Sequence, residues 1–321
     1  MPDFVANRNQ TAAYSQLPPE LILKIFDIAA ASSKSTALAL CLVSSWACNL
    51  ARRRLLDTVT ISTKLQMEAL LCAVEGPRGD LAAVRHLWLA HNERHDCIIA
   101  RLPNLADLAL TPYSLYHSLW ETESPTTPPI PSIAAPDNAL RLTVIPSASD
   151  GYALTRLLTG ANAAQSKLNR AGRNATHLSY ALFRKDAYIA MLLRTTVLRV
   201  LPTFPHLTHL AVAWPGSRTP LPREALDAFC ENALIAVPAL RALVVVMSAE
   251  ARAEYAAEDT AFPSSLCEQC PHVYVVEESQ GEPVDMWLEE VRGGDSVWER
   301  AARSGATVRI VCALSPLLTA E

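Results

Sequence analysis

The chain has 321 residues, of which 50% are hydrophobic and 19% are charged, and its formal net charge is -4. This composition excludes a disordered chain, and the charge gives no electrostatic basis for binding nucleic acid or an anionic membrane. The first sixteen residues lack the apolar segment of a signal peptide, and no apolar run approaches the roughly 18 residues of a membrane span. We therefore expect an intracellular protein, cytoplasmic, nuclear or both, whose eight cysteines are reduced.

The first predicted helix begins at Pro18 and Pro19, because proline fits the first helical turn, where its missing N–H has no partner in any case. Glu20 in that turn complements the positive end of the helix dipole. Apolar residues at helical spacing then form one stripe, made of Leu21, Ile22, Ile25, Phe26 and Ala29.

Two further short helices are predicted before residue 58. Ser35 or Thr36 can cap the second helix, and Ser44 or Ser45 can cap a third that carries Trp46. Together the three helices hold more apolar surface than so small a unit can bury by itself. The segment therefore predicts a unit that docks onto a partner, although an ordinary helical subdomain packed on the chain's own core is the alternative.

The order of these residues resembles the F-box domain, and most of all the F-box-like proteins of mushroom-forming fungi. The matching pattern is Leu-Pro-x-Glu-Leu, then Ile-Phe, then Leu-Val-Ser-x-x-Trp and Leu-Ala. In that family the unit binds a Skp-type linker, which connects it to a cullin–RING ubiquitin ligase, and the rest of the chain selects the protein to be ubiquitinated. The positions that match the family's linker-binding residues are Leu17, Pro18, Leu21, Ile25, Phe26, Val43 and Trp46.

Beyond the helical segment the chain repeats the phrase Pro-x-Leu-x-x-Leu-x-aliphatic. The prolines that begin the last three copies of this phrase are equally spaced, since 238 − 205 = 33 and 271 − 238 = 33. A fixed period of this length is typical of stacked repeats whose faces cannot be buried alone. The copies begin at Pro103, Pro205, Pro238 and, more weakly, Pro271, with looser copies at 140–144 and 176–180.

Helical stretches precede four of the strand phrases, at residues 66–74, 152–158, 186–193 and 223–237. Alternation of helix and short aliphatic strand predicts parallel strands with helical crossovers. The body therefore resembles an irregular leucine-rich-repeat layer. We predict an α/β fold in three parts. Residues 1–14 are a disordered N-terminus, and residues 15–58 form a three-helix F-box-like unit. Residues 59–321 form a leucine-rich-repeat-like body with a parallel sheet and a Pro-rich insert at 121–136.

The C-terminal part reads as two amphipathic helices joined by Gly293 and Gly294. Each helix carries one tryptophan, Trp287 in the first and Trp298 in the second. We expect these side chains to lock this end of the chain onto the last strands, with an aromatic binding patch as the alternative.

No constellation of residues predicts catalysis. Cys267, Cys270 and His272 resemble half of a metal site, but no second pair follows at zinc-knuckle spacing. The histidines lie mostly at predicted strand entries and are not paired with a nucleophile. We therefore predict no enzyme activity, no catalytic, metal or cofactor-binding residues, and no cofactor.

These patterns together predict a substrate-recruiting adaptor of a cullin–RING ubiquitin ligase. Its partners would be a Skp-type linker and a target protein, with no nucleic acid and no membrane. One alternative is a protein-interaction scaffold outside any ligase, in which the helical unit only caps the repeat stack. Another is an unrecognised enzyme on a parallel α/β sheet, which predicts a deep pocket lined by His, Cys or carboxylate groups.

Overall fold

A computed structural model describes most of the chain. The predicted disordered N-terminus at 1–14, the Pro-rich insert at 121–136 and the predicted helices at 152–158 and 186–193 lie outside the described residues. The chain divides into a helical unit, Met1–Val59 with Asp80–Val84, and a sheet unit, Thr60–Gly79 with Arg85–Glu321. The described residues are 17–75, 81–91, 96–99, 101–119, 139–145, 170–180, 198, 200–214, 223–257, 268–279, 281–304 and 307–310.

The helical unit contains the three predicted helices. Ser44 caps the third helix as expected, accepting the Ala47 N–H at 3.3 Å. The second helix begins earlier than predicted, because Ser33 rather than Ser35 or Thr36 is its cap and accepts the Thr36 N–H at 3.0 Å. The helices are α1 (Pro19–Ser32), α2 (Lys34–Cys41) and α3 (Ser45–Asp57).

The sheet unit is built on nine strands that lie side by side in chain order. Each strand from β2 to β8 runs parallel to its neighbours in that series, and β9 runs antiparallel to β8. The prediction of an α/β body with a parallel sheet is confirmed. The strands are β1 (Thr58–Ile61), β2 (His86–Leu89), β3 (Asp107–Leu110), β4 (Leu140–Val144), β5 (Ala175–Tyr180), β6 (His209–Trp214), β7 (Ala242–Met247), β8 (Glu268–Glu277) and β9 (Thr307–Ile310).

Helices are interleaved with these strands, and two of them were predicted from the periodicity at 66–74 and 223–237. None of the described helices is long and apolar enough to cross a membrane. The helices are α4 (Lys64–Glu75), α5 (Asp96–Ile99), α6 (Pro112–Leu119), α7 (Arg170–Arg173), α8 (Arg223–Ala236), α9 (Ala249–Ala257), α10 (Pro283–Val291) and α11 (Val297–Ser304), with 3₁₀ turns at Leu81–Ala83 and Leu201–Thr203.

One face of the sheet carries a row of aliphatic side chains at a single register. Successive side chains of a strand point to opposite faces of the sheet. In each strand, the residue two positions after the member of this row therefore points to the same face. Helix α8 packs there, because the Phe229 ring lies 6.0 Å from that of Trp214. The row comprises Leu87, Leu108, Leu142, Leu178, Leu210, Leu243 and Val273, each at most 1% exposed.

The strand register corrects the predicted repeat at Pro271. Leu210 and Leu243 are paired and 243 − 210 = 33 residues apart, as the phrase predicts. Leu243, however, pairs with Val273 and not with Val276, which the proline spacing would require. Pro271 lies inside β8 and not before it, so its equal spacing from the preceding proline does not mark equivalent positions.

The opposite face of the sheet is covered by the two C-terminal helices. Helix α10 packs on the first strands, where the Trp287 ring lies 5.5 Å from that of Trp88. Helix α11 packs on β6, β7 and β8 through Val297 and Ala301. The expectation that both tryptophans fasten onto the last strands is therefore wrong for Trp287, because α10 extends across the sheet to β2.

Candidate functional site

The helical unit has a core made of small side chains. Ala30, Ala37 and Ala51 form its buried cluster, with Leu40, Cys41 and Leu55 packed partly buried around it. Burial of an alanine removes little apolar surface from water, so such a core contributes little stabilisation compared with a core of leucines. The large apolar residues of this unit must therefore lie elsewhere.

The large apolar side chains of the helical unit are mostly exposed to solvent. Eleven large apolar side chains are exposed among the described residues, and nine of them lie between residues 17 and 46. A soluble monomer rarely exposes a contiguous apolar patch of more than a few hundred Å², and larger patches mark interaction sites. The nine are Leu17, Leu21, Leu23, Ile25, Ile28, Leu38, Leu42, Val43 and Trp46.

Helix α1 carries two apolar stripes, and only one of them faces the unit's own core. Ile22 and Phe26 are half-buried one turn apart, and Ala30 continues their line as a buried residue. Leu21 and Ile25 stand at the same spacing on the solvent side, and Ile25 is 53% exposed. The single stripe expected from the sequence is thus divided between packing and exposure.

The junction of α2 and α3 adds the second part of the exposed surface. Leu42 is 89% exposed and Val43 is 63% exposed, in the short turn between the two helices. Trp46 on α3 lies with its ring centroid 5.0 Å from that of Phe26, so it ties α3 to α1 while 44% of its surface stays exposed. An aromatic ring held on one side and open on the other is typical of a binding anchor.

An exposed ion pair holds α1 and α3 together on their polar side. Arg54 Nε and one terminal nitrogen donate to the two oxygens of Asp27, at 2.7 and 2.5 Å. The hydrogen bond from Arg54 lowers the pKa of the Asp27 carboxyl. Both side chains are more than a third exposed, so the pair orients the helices more than it stabilises them.

The seven residues predicted to bind a linker lie in the same stretch of the chain, 17–46, as the nine exposed side chains. Six of the seven are exposed, and Phe26 is half-buried beneath the ring of Trp46. The predicted set omitted four other exposed apolar residues: Leu23, Ile28, Leu38 and Leu42. Ile28 follows Leu21 by seven residues, and that helical spacing could have identified it.

A cluster of polar side chains crosses the face of the sheet that helices α10 and α11 cover. One position at a single register of β2 to β6 is polar in every strand, and we name these residues the polar row. They are His86, Asp107, Arg141, His177 and His209.

Three members of the polar row meet at the Asp107 carboxylate; the side chains of His86 and Asp107 are buried and that of Arg141 is 37% exposed. His86 Nδ1 lies 2.6 Å from Asp107 Oδ2, and an Arg141 terminal nitrogen donates to the same oxygen at 2.9 Å, while Arg141 Nε also contacts the carboxylate. Burial alone would raise the pKa of Asp107, but the hydrogen bonds from His86 and Arg141 outweigh it and hold that pKa below its usual value. Asp107 is therefore a carboxylate at neutral pH.

The remaining two members stack on each other. The rings of His177 and His209 lie 4.0 Å apart and 9° from parallel, and each Nδ1 contacts the threonine hydroxyl that precedes it in the chain. The edge of Trp298 closes over both rings. Burial and the neighbouring His209 lower the pKa of His177 to about 4, and burial also lowers that of His209, so both rings are neutral at pH 7.

The space beside the polar row is small. Between it and the C-terminal helices lies a cavity of about 10 Å³, room for roughly one water. Among the described residues no group of three or more His, Cys, Asp or Glu is placed to hold a metal ion. The sequence carried a signal for this row, since each member immediately precedes the leucine of a strand phrase, but only the histidines were noted.

The structure is that of an α/β protein whose N-terminal helical unit exposes large apolar side chains. Comparison of the chain with models of protein families, with curated proteins and with solved structures finds no match.

Proposed function

We propose that this chain is a substrate-recruiting adaptor of a cullin–RING ubiquitin ligase. Its helical unit acts as an F-box-like domain that binds a Skp-type linker, and its sheet unit acts as a leucine-rich-repeat-like body that binds a target protein. The observation that carries the proposal is the concentration of exposed large apolar side chains between residues 17 and 46.

Burial of this surface by a partner supplies the driving force. Covering apolar surface on the order of 400 Å² at about 25 cal/mol per Å² contributes roughly 10 kcal/mol before association costs are subtracted. The helices are already formed and capped, at Ser33 and Ser44, so little backbone entropy remains to be lost on binding. A preformed apolar surface of this kind favours a protein partner over a small ligand.

The residues have distinct roles in this proposal. Ile25 and Val43, both more than half exposed, supply apolar contact area at the two parts of the surface. Trp46 supplies an aromatic anchor that Phe26 supports from beneath. Pro18 is the N-cap of α1, and the proline ring restricts the backbone of Leu17, which precedes it.

The resemblance to the F-box domain selects the partner. Six of the seven motif positions assigned to linker binding are exposed, so the surface that needs a partner and the surface that matches the family overlap. The chain itself acts by proximity in this proposal: one unit holds the ligase and the other holds the target. No chemical step is assigned to its own side chains.

Co-purification of the full chain with a fungal Skp-type linker tests the proposal. We expect a complex with the wild-type chain that is lost in Ile25→Asp and in Val43→Asp, because an ionised carboxylate cannot be buried against apolar side chains without large cost. Leu65→Asp is the matched control, since Leu65 is 77% exposed but belongs to the sheet unit. This control should co-purify like the wild type.

Two outcomes would overturn the proposal. A folded wild-type chain that forms no complex with the linker would favour the scaffold alternative, in which no ligase is involved. Equal loss of binding in all three aspartate variants would show that the contact is nonspecific. Circular dichroism of each variant shows that its fold is retained.

A further inference from the structure

The two C-terminal helices, α10 and α11, form a cover over one face of the sheet, and we name residues 283–304 the helix pair. The chain leaves the sheet after β8, crosses to β2 and returns to pair as β9. The turn between the helices depends on two glycines. Gly293 has a φ of +89°, and a side chain on Gly294 would lie 2.8 Å from the backbone oxygen of Glu289, so only glycine fits this turn.

The contact between the helix pair and the sheet is apolar at both ends and polar at its centre. Trp287 and Trp88 pack at one end, and Val297 and Ala301 pack on β6, β7 and β8 at the other. The polar row lies between them. The other face of the same sheet differs, because its aliphatic row is almost fully buried. The sheet face covered by the helix pair is therefore the face that carries the ionisable side chains of the polar row.

Glu290 brings a carboxyl group into this polar centre from α10. It lines the cavity of about 10 Å³ together with Asp107, Arg141, His177 and Trp298. Arg141 already directs two nitrogens at Asp107, so its guanidinium is engaged with a different carboxylate. Glu290 is thus half-buried beside a second carboxylate, and Arg141 in the same lining is already paired with that carboxylate.

The charged and titratable groups around Glu290 come from four elements. Asp107 on β3, Arg141 on β4 and Arg300 on α11 act on its charge, and His177 on β5 lines the same cavity. Arg300 donates to the Glu277 carbonyl and to the Ser279 hydroxyl. Burial, together with the charge of Asp107, outweighs the attraction of the two arginines and a hydrogen bond from the Val297 backbone N–H, and raises the pKa of Glu290 to about 7.

We propose that the helix pair is a proton-sensitive cover: it seats on the sheet with the Glu290 carboxyl neutral and loosens when that carboxyl ionises. In the open state Glu290 is solvated and ionises at its ordinary pKa of 4.5. The seated state therefore binds more protons between pH 4.5 and about 7, and its advantage from this group is lost as pH rises through that interval. This inference concerns the chain alone and does not depend on the proposed function.

The histidines beneath the cover act in the opposite direction. The pKa of His177 is lowered to about 4 and that of His209 is lowered too, so opening becomes easier as pH falls below 6.5, where solvated imidazoles take up protons. The two effects partly cancel in the wild-type chain. A variant that lacks only the Glu290 carboxyl separates them.

Hydrogen exchange of the full chain tests the cover, with the wild type and Glu290→Gln compared at the same pH. We expect the ratio of amide protection factors in α10 and α11, variant over wild type, to rise about 25-fold from pH 5.5 to pH 8, the change that a pKa displaced from 4.5 to about 7 gives. Comparison at equal pH removes the histidine effect and the intrinsic pH dependence of exchange.

The controls use neighbouring residues and a distant helix. Glu289 is exposed, so Glu289→Gln should show a ratio that stays constant with pH. Glu290→Met is a second neutral variant, should the amide fail to fold, and is expected to behave like Glu290→Gln. Amides of α8 (Arg223–Ala236) serve as the internal reference. A ratio independent of pH, or an equal rise in α8, would overturn the proposal.

Discussion

The helical unit and the sheet unit differ in where their large apolar side chains lie: the sheet unit buries them, and the helical unit leaves most of them exposed. The sheet unit buries leucines such as Leu108 and Leu178 to within 1% of full burial, whereas the helical unit buries alanines and leaves Ile25 and Leu42 exposed. A domain that buries its large apolar side chains in its own core is stabilised by that burial. A unit that keeps them in solvent gains that stabilisation only when another surface covers them.

The largest expected effect lies in the aliphatic row of the sheet. Leu178→Ala should lower the free energy of unfolding by about 2 to 5 kcal/mol, because the substitution removes buried methyl groups and leaves a cavity in a fully packed layer. Denaturant unfolding followed by circular dichroism measures it. A loss below about 1 kcal/mol would mean that this row does not form the main core.

A smaller effect is expected in the polar row. Asp107→Asn should lower the free energy of unfolding by about 1 to 3 kcal/mol at pH 7, because His86 and Arg141 lose a buried charged partner. The pKa of Asp107 is lowered in the folded state, so its contribution is present above pH 3.8 and is lost as pH falls below that value.

The pH dependence of this effect is measured by denaturant unfolding at pH 7 and pH 3. The gap between wild type and Asp107→Asn should narrow at pH 3. Asp295→Asn, which removes an exposed carboxylate paired with Arg303, is the control and should show little difference at either pH. A gap that widens on acidification would contradict the assigned charge state.

A third substitution addresses the ion pair between α1 and α3. Arg54→Ala should lower the free energy of unfolding by no more than about 1 kcal/mol, and less at high salt, because both partners are exposed. Unfolding at low and high ionic strength measures it. Arg53→Ala, on the neighbouring exposed position, provides the baseline for loss of one positive charge.

The smallest effect on stability is expected at Ile25, and it bears most directly on the difference between the helical unit and the sheet unit. Ile25→Ala should change the free energy of unfolding by no more than about 0.5 kcal/mol, because the side chain contributes little to the core. The same substitution should weaken linker binding by about 1 to 3 kcal/mol, or roughly 5- to 150-fold in Kd. Calorimetric titration with the linker measures the second quantity. A large loss of stability would mean that Ile25 is a packing residue.

The sequence predicted much of the fold because its signals were local. Prolines and serines at helix starts, helical spacing in α8 and leucine phrases before β3, β6 and β7 all act within a few residues. The cap of α2 was misplaced because serines at 32, 33 and 35 compete for the same role. The weak phrase at Pro271 misled because a proline spacing carries no information about strand register.

The site was predicted in part for the same reason. The motif identified Ile25 and Trp46, but helical spacing alone could not decide that Ile22 faces the core while Ile25 faces solvent. The position of Glu290 beside Asp107 and His177, and the contact of Trp287 with Trp88, join segments about 110 to 200 residues apart. Such long-range contacts leave no trace in local sequence patterns.

Hydroxyl-radical footprinting of the full chain, free and with the Skp-type linker, tests the central claim most directly because it reports side-chain exposure. The account predicts that Ile25, Val43 and Trp46 are oxidised in the free chain and protected in the complex. Leu65 should stay reactive in both states, and the buried Trp287 should stay protected in both. Protection of residues 17–46 in the free chain, or their unchanged oxidation in the presence of saturating linker, would contradict the account.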